Sequence, residues 1–294
     1  MSKKKELIYS FIVMLLWGSL FPVIKIGYAE YNINSTGDIF FFAGIRFLIS
    51  GAIIVLYAFI KDKDFCNSVK QNLLPVLLSG VFAIILHYGF TYSALKMTDS
   101  SKTAILKQVG VLFYVCFSFI FFKDDKVTLK KVIGVLIGFS GIIAINTGVN
   151  GLSFNIGDAL ILAASFCTVF SNVISKKVFK NVNPISSTGA SQLFGGIVLL
   201  LIGKLLGGSM SIKSGGGLLL MAYICTASIL SYCIWFTVVK NGELSKLFII
   251  KFAEPAFACV FSAILLGENV LQIQYIIAFL LIGSGIYISS ISKR

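Results

Sequence analysis

The sequence predicts an all-α membrane protein with ten transmembrane helices, arranged as a five-plus-five inverted repeat. The composition, the apolar runs and an internal repeat each support this prediction. Of the 294 residues, 57% are hydrophobic and 13% are charged, and the mean hydropathy is +0.94. Soluble domains carry about 25% charged residues. The composition therefore excludes an ordinary soluble protein.

Ten apolar runs follow one another along the chain, each about 20 residues long and so able to cross a bilayer as a helix. They lie near residues 7–27, 38–60, 73–95, 99–122, 127–147, 156–175, 184–206, 215–238, 243–266 and 271–290. The connections between them are too short to fold as separate soluble domains.

The chain also repeats itself at a constant offset of 144 residues, so that residues 73–146 match residues 217–290 without a gap. Identical pairs include Tyr88 with Tyr232 and Lys107 with Lys251. This repeat predicts a first unit over residues 1–147 (helices 1–5) and a second over residues 148–294 (helices 6–10). An odd number of crossings in each unit places the units in opposite orientations, which is the arrangement that supports alternating access.

The net charge of +13 follows the predicted topology. With the N-terminus inside, 17 Lys and Arg residues lie in or beside the inner connections and four lie in the outer ones. This positive-inside bias predicts a multi-pass protein of the cell membrane, embedded in the lipid bilayer, with both termini in the cytoplasm. The chain has no basic arm or RNA-binding signature, so nucleic acid is not an expected partner.

Motifs for catalysis and for metal or cofactor binding are missing from the sequence. The six cysteines form no C-x-x-C pair and the chain has one histidine, so we expect no metal site. No G-x-S-x-G, H-E-x-x-H, P-loop or dinucleotide-binding glycine motif occurs in a fitting context. We therefore expect no catalytic residues and no cofactor, which makes an intramembrane enzyme the least favoured class.

Several short motifs resemble those of EamA-type transporters in the drug/metabolite transporter superfamily. They are Trp17-Gly18-Ser19-Leu20-Phe21 with Lys25, Gly44-Ile45-Arg46-Phe47, the segment from Ala94 to Thr103, and Glu254-Pro255 followed by Gly267-Glu268. Val111 stands where the first half of the family often has proline, and Lys123-Asp124-Asp125 replaces the usual acidic turn. The resemblance implies ten helices in an inverted repeat and the export or exchange of small metabolites. It does not imply one substrate, because members carry amino acids, carboxylates, amines and other solutes.

Lys107 and Lys251 are the strongest candidates for substrate binding. A charged lysine near the bilayer centre is costly, so it usually faces a polar cavity. The repeat places the two lysines about 5 Å on opposite sides of the centres of helices 4 and 9, at about 1.5 Å per residue. They would bind an anionic group there, as the resemblance to sugar-phosphate and nucleotide-sugar carriers also implies. Alternatively, each lysine extends along its stem to the nearer interface.

Glu254 lies three residues after Lys251, so both are expected on one helix face. It could neutralise Lys251, bind a substrate ammonium group, take part in proton coupling, or form a structural ion pair beside Pro255.

The other candidates each have a binding and a structural interpretation. Trp17, Tyr88, Tyr232 and Trp235 would form cavity walls or aromatic packing. His87 is a packing residue or a proton relay. Arg46 binds substrate, holds an outer gate or has a structural role, whereas Lys25 is expected to be an interfacial anchor. Asn172 and Gln192 bind substrate or join helices by hydrogen bonds.

Together these observations predict a secondary transporter of a small polar metabolite, an amino acid or other carboxylate, that works as an exporter or exchanger. Proton or counter-solute coupling would supply the energy, because no ATP motif is present. A lipid flippase of the same architecture is the alternative, with the lysines binding a lipid phosphate. Monomeric and homodimeric states both remain open.

Overall fold

The structure is a computed structural model that describes residues 3–114, 128–148, 151–152, 154–241, 247, 250–251 and 253–291. The end of the predicted span 99–122, the beginning of the span 243–266 and the turn at Lys123-Asp124-Asp125 lie outside these residues. The chain termini at residues 1–2 and 292–294 also lie outside them.

The described chain is almost entirely helical. In the first half the helices are α1 (Lys3–Glu30), α2 (Thr36–Lys61), α3 (Phe65–Gln71), α4 (Leu73–Gly80), α5 (His87–Leu95), α6 (Ser100–Lys107) and α7 (Leu129–Asn146). In the second half they are α8 (Ile156–Val178), α9 (Pro184–Leu205), α10 (Gly216–Asn241), α11 (Ala253–Leu266) and α12 (Ile273–Ile291). A π-helical turn, Val81–Leu86, joins α4 to α5, and residues 109–114 continue beyond α6 as a further helical stretch.

Among the described residues, six helices are long and apolar enough to cross a membrane, and three shorter apolar helices accompany them. Their surfaces carry exposed large apolar side chains, for example Leu56, Phe59 and Ile60 on α2. Such side chains are stable against lipid but costly in water. The protein is therefore a multi-pass membrane protein, as its composition predicts.

Two small elements were not expected from the sequence. The predicted connection 61–72 contains α3, whose Val69 packs with Val76, Val178 and Val182 against the bundle. The link between the halves contains a two-residue pair of antiparallel strands, β1 (Thr147–Gly148) and β2 (Gly151–Leu152). This pair satisfies backbone groups at the link. The described chain otherwise keeps the all-α class that the sequence predicts.

Glycines bring the two halves of the chain into close contact. Helix α2 packs along α9, and α7 packs along α12. A Cβ atom at Gly44 would collide with the backbone of Leu200, and one at Gly285 would collide with the backbone of Gly138. Small residues at these positions allow the helix backbones to approach in a bilayer. The glycines of α7 and α12 therefore serve helix packing.

The other helices surround a central region that holds the polar side chains. Helix α1 packs on α10 and α11, and α8 packs on α4, α5 and α6. The site is formed where these two groups meet.

Candidate functional site

Two cavities lie in the centre of the bundle, one on each side of a shared wall. The Lys251 cavity, counted together with the open space at its mouth, has a volume of about 410 Å³. It is lined by Trp17, Ala83, His87, Tyr88, Lys107, Thr168, Ser171, Asn172, Tyr232, Trp235, Phe236 and Lys251. The Arg46 cavity, counted in the same way, has a volume of about 310 Å³ and is lined by Trp17, Leu20, Phe21, Ile24, Arg46, Tyr88, Thr91, Tyr92, Leu95 and Lys107.

Lys251 is a buried cation whose ammonium group contacts aromatic rings rather than an acid. The residue is 6% exposed. Its Nζ lies 5.5 Å from the ring centre of Trp17 and 5.9 Å from that of Trp235. These are cation–π distances. No ion pair within 4.0 Å involves Lys251 among the described residues, so its charge is available to a ligand in the Lys251 cavity.

Lys107 is paired with Glu254 from the other half of the chain. Its Nζ lies 3.1 Å from Glu254 Oε1, and the side chains are 11% and 0% exposed. Glu254 Oε2 is buried without a hydrogen-bond partner. Of the alternatives for Glu254, the structure shows an ion pair beside Pro255, and the partner is Lys107 rather than Lys251. Helix α11 packs against α6 as well as α1, which brings the carboxylate within reach of Lys107.

Tyr88 and Tyr232 form the wall between the cavities together with Trp17. Their hydroxyl groups are 2.6 Å apart, so the equivalent positions of the repeat are joined directly by a hydrogen bond. The ring of Trp17 packs against those of Tyr232 and Trp235, at centroid distances of 5.8 and 5.2 Å. Trp17 and Tyr88 line both cavities, whereas Tyr232 and Trp235 line the Lys251 cavity.

Polar groups from α5 and α8 complete the Lys251 cavity. His87 follows the π-helical turn, a deviation that is frequent at functional sites. Its Nδ1 lies 3.0 Å from the Ala164 carbonyl oxygen and 3.0 Å from Thr168 Oγ1. Asn172 donates to the Thr168 carbonyl oxygen over 2.9 Å. Thr168 and Asn172 share a helix face because they are four residues apart.

Arg46 occupies the other cavity, where it is 1% exposed. Its Nε donates to Ser228 Oγ over 2.8 Å, and its Nη1 donates to the hydroxyl oxygen of Tyr92. Its guanidinium carbon lies 5.2 Å from the ring centre of Tyr88. Its Nη2 is buried without a hydrogen-bond partner.

Not all sequence-predicted residues meet at the centre. Gln192 is buried at the contact between α2 and α9 and lines neither of the two cavities. Conversely, sequence reasoning missed Thr168, Ser171 and Thr91, which do line them. Ser171 and Asn172 lie three and four residues after Thr168 along α8 and therefore share one helix face with it. This spacing could have identified Thr168 and Ser171 from the sequence.

Beyond the Arg46 cavity, an ion-pair cluster holds the helix ends together. Lys25 Nζ lies 3.6 Å from Asp99 and 3.4 Å from Glu268, so the expected interfacial anchor also joins two acidic side chains. Glu268 accepts hydrogen bonds from the backbone N–H groups of Ser100 and Ser101. It thereby caps α6, since Asp99 makes no side-chain cap bond.

Burial alone would raise the pKa of Glu268, but hydrogen bonds from Ser101 and Ser100 and the charge of Lys25 lower it below its usual value. The carboxylate is therefore ionised at neutral pH. A further ion pair, Lys102 with Asp158 at 2.9 Å, joins α6 to the beginning of α8 at the same end of the bundle.

The described residues contain no cluster of three or more His, Cys, Asp or Glu side chains that could hold a metal ion. The charged side chains that line the two cavities, among the described residues, are basic: Lys107, Lys251 and Arg46.

Comparisons with known proteins agree with this architecture. A solved crystal structure aligns with 99% of this chain and 98% of its own, with a TM-score of 0.70 at 18% identity, which shows a shared fold. An uncharacterized transporter of Archaeoglobus fulgidus is 22% identical over 92% of this chain and 91% of its own length. The uncharacterized inner membrane transporter YedA of Escherichia coli K12 is 26% identical, over 90% of this chain and 84% of its own length. The EamA-like transporter family matches residues 4–147 and 155–291. The chain thus belongs to the EamA-like transporter family.

Proposed function

We propose that the protein is a secondary active transporter that moves a small carboxylate, such as an amino acid, out of the cell by alternating access. The observation that carries this proposal is Lys251, a buried cation without an acidic partner among the described residues, at the wall of a central cavity. Burying an unpaired charge is costly. A protein retains such a charge where a ligand of opposite charge offsets the cost.

The ligand would be oriented by groups around Lys251. Its anionic group contacts the ammonium group, while Trp17 and Trp235 exclude water from the ion pair and strengthen it. Thr168 and Asn172, on α8, line the same cavity and offer hydrogen bonds to the ligand. The Lys107–Glu254 pair lies next to this site, so Glu254 could meet a substrate ammonium group.

The helix contacts support an inverted repeat of ten helices. In the repeat, α1 is equivalent to α8, α5 to α10 and α6 to α11. The contact of α1 with α11 therefore has its equivalent in the contact of α8 with α6, and the contact of α1 with α10 has its equivalent in that of α8 with α5. The contacts α2 with α9 and α7 with α12 each map onto themselves. Two units related by a two-fold axis in the membrane plane would produce this pattern.

The position of the ion pairs supports a direction of transport from the cytoplasm to the outside. The ion pairs of Lys25 and Lys102 close the end of the bundle next to the Arg46 cavity, which the positive-inside bias places outside the cell. The Lys251 cavity lies towards the opposite, cytoplasmic end. A substrate would enter there from the cytoplasm, and opening of the ion-pair cluster would release it outside.

The topology can be tested by labelling Lys96→Cys and Lys240→Cys in a chain whose six native cysteines are replaced by serine. Both positions are exposed. We expect a membrane-impermeant maleimide to label position 96 in intact cells and position 240 only after permeabilisation. Lys213→Cys and Lys61→Cys, also exposed, serve as outer and inner controls. Labelling of positions 96 and 240 from the same side would contradict the inverted repeat.

Transport itself can be tested with protein in sealed liposomes and a mixture of isotope-labelled amino acids and small organic acids. We expect at least one carboxylate to cross faster than in protein-free liposomes, without ATP, under a pH gradient or an opposing solute gradient. Mass spectrometry of the vesicle contents measures the flux. Movement of fluorescent phospholipid between leaflets, with no carboxylate flux, would instead support a flippase.

A further inference from the structure

The Arg46 cavity contains three buried polar groups that lack hydrogen-bond partners. They are Arg46 Nη2, Thr91 Oγ1 and Trp17 Nε1. All three residues line this cavity. A buried donor without a partner costs about 1–3 kcal/mol, and more when it is charged. Three of them around one space indicate that a ligand completes their bonding.

The charges at the centre of the bundle indicate that this ligand is negatively charged. Among the described residues, Lys107 and Glu254 neutralise each other, whereas Arg46 and Lys251 have no acidic partner within 4.0 Å. One uncompensated positive charge therefore faces each cavity, on opposite sides of the Tyr88–Tyr232 hydrogen bond.

The geometry of the three groups narrows the ligand class further. Arg46 and Trp17 can only donate hydrogen bonds, and the Thr91 hydroxyl can donate as well. Arg46 lines the cavity and is oriented by its hydrogen bonds to Ser228 and Tyr92, which leave Nη2 without a partner. A planar carboxylate has two oxygens that accept several such bonds, and bonds from a charged guanidinium are among the stronger ones.

We propose that the Arg46 cavity is a second anion-binding site, which binds a small carboxylate through Arg46 Nη2, Thr91 Oγ1 and Trp17 Nε1. The proposal rests on the proposed function for the chemical class of the ligand, but its residues, apart from Trp17, are separate from those around Lys251. A substrate leaving Lys251 would find a second positive charge on its route to the ion-pair end.

The two tryptophans of the chain allow the sites to be observed separately. Trp17 lines both cavities and Trp235 lines only the Lys251 cavity. In the double variant W235F/K251Q, Trp17 is the single tryptophan reporter and the unpaired cation of the Lys251 cavity is removed. We expect sodium acetate, titrated against sodium chloride at constant ionic strength and pH 7, to change Trp17 emission saturably in this variant.

Substitutions in the Arg46 cavity should weaken this binding. In the W235F/K251Q background, Thr91→Val removes one hydroxyl with little change of shape, and we expect the acetate Kd to rise about tenfold, the effect of one hydrogen bond to a charged group. Arg46→Lys should raise it at least as much, because an ammonium group cannot reproduce the fixed donors of the guanidinium. Thr168→Val, the same change in the other cavity, should leave this Kd unaltered. Thermal unfolding checks that each variant is folded.

Other results of these titrations would overturn either the Arg46 site or the Lys251 site without affecting the other. In one such outcome, acetate changes Trp235 emission in the W17F variant and has no effect on Trp17 emission in W235F/K251Q. The Lys251 site would then stand, and the Arg46 site would be overturned, with water alone bonding its donors. A response in W235F/K251Q that neither Thr91→Val nor Arg46→Lys weakens would also overturn it. A response confined to the Arg46 site would contradict the assignment of Lys251 instead.

Discussion

Replacing Lys251 with glutamine is expected to lower the transport efficiency for the carboxylate by about tenfold to a hundredfold. The lost interaction is a charge-assisted hydrogen bond, whose net contribution is about 1.5–3 kcal/mol. The loss should appear in flux measurements on sealed liposomes at low substrate concentration. Lys213→Gln, at an exposed lysine outside both cavities, is the matched control and should transport normally.

The same substitution should leave the protein as stable as before, or more stable. Lys251 has no acidic partner among the described residues, so removing its charge relieves a desolvation cost without leaving a buried acid alone. Thermal unfolding in detergent checks this. Normal transport by a well-folded Lys251→Gln protein would remove Lys251 from the substrate site.

Replacing Lys107 with glutamine should have the opposite effect on stability. Glu254 is fully buried, and Lys107 is its ion-pair partner. Without Lys107, an uncompensated carboxylate remains in the bundle centre, which typically costs about 3–5 kcal/mol. We expect a marked fall in the unfolding temperature of Lys107→Gln.

The double variant K107Q/E254Q distinguishes this cause from a general loss of packing. Two amides can hydrogen-bond to each other and carry no charge, so most of the stability should return. A double variant as unstable as Lys107→Gln would show that the ion pair is not what stabilises this region. Lys107 and Lys251 are equivalent positions of the repeat. A difference in stability between Lys107→Gln and Lys251→Gln would show that the two lysines have different roles, one structural and one in binding.

Much of the architecture could be predicted from the sequence, because hydropathy alone determines where a helix can cross a bilayer. The predicted span 73–95 coincides with α4, the π-helical turn and α5 taken together. The repeat identified Tyr88 and Tyr232 as equivalent, and the structure brings their hydroxyl groups into contact.

The partners of charged residues were harder to predict. Glu254 lies one helical turn from Lys251 in sequence, yet it pairs with Lys107, which is 147 residues away. Spacing along one helix shows which side chains share a face, but the neighbour that the face meets depends on the packing of other helices. The cap that Glu268 provides for α6 could not be predicted from the sequence, because it depends on packing between distant parts of the chain. The π-helical turn could not be predicted either, because its six residues are ordinary apolar ones.

The cap on α6 has a mechanical consequence. This helix is only eight residues long, about 12 Å at 1.5 Å per residue, with Glu268 bound at its first turn and Lys107 as its last residue. Withdrawal of the Glu268 carboxylate leaves amide groups at the start of this short rod without an acceptor. Under the proposed transport cycle, we expect this short helix to carry that loss to the lysine at its other end, so that opening of the ion-pair cluster and loosening of the Lys107–Glu254 pair occur together.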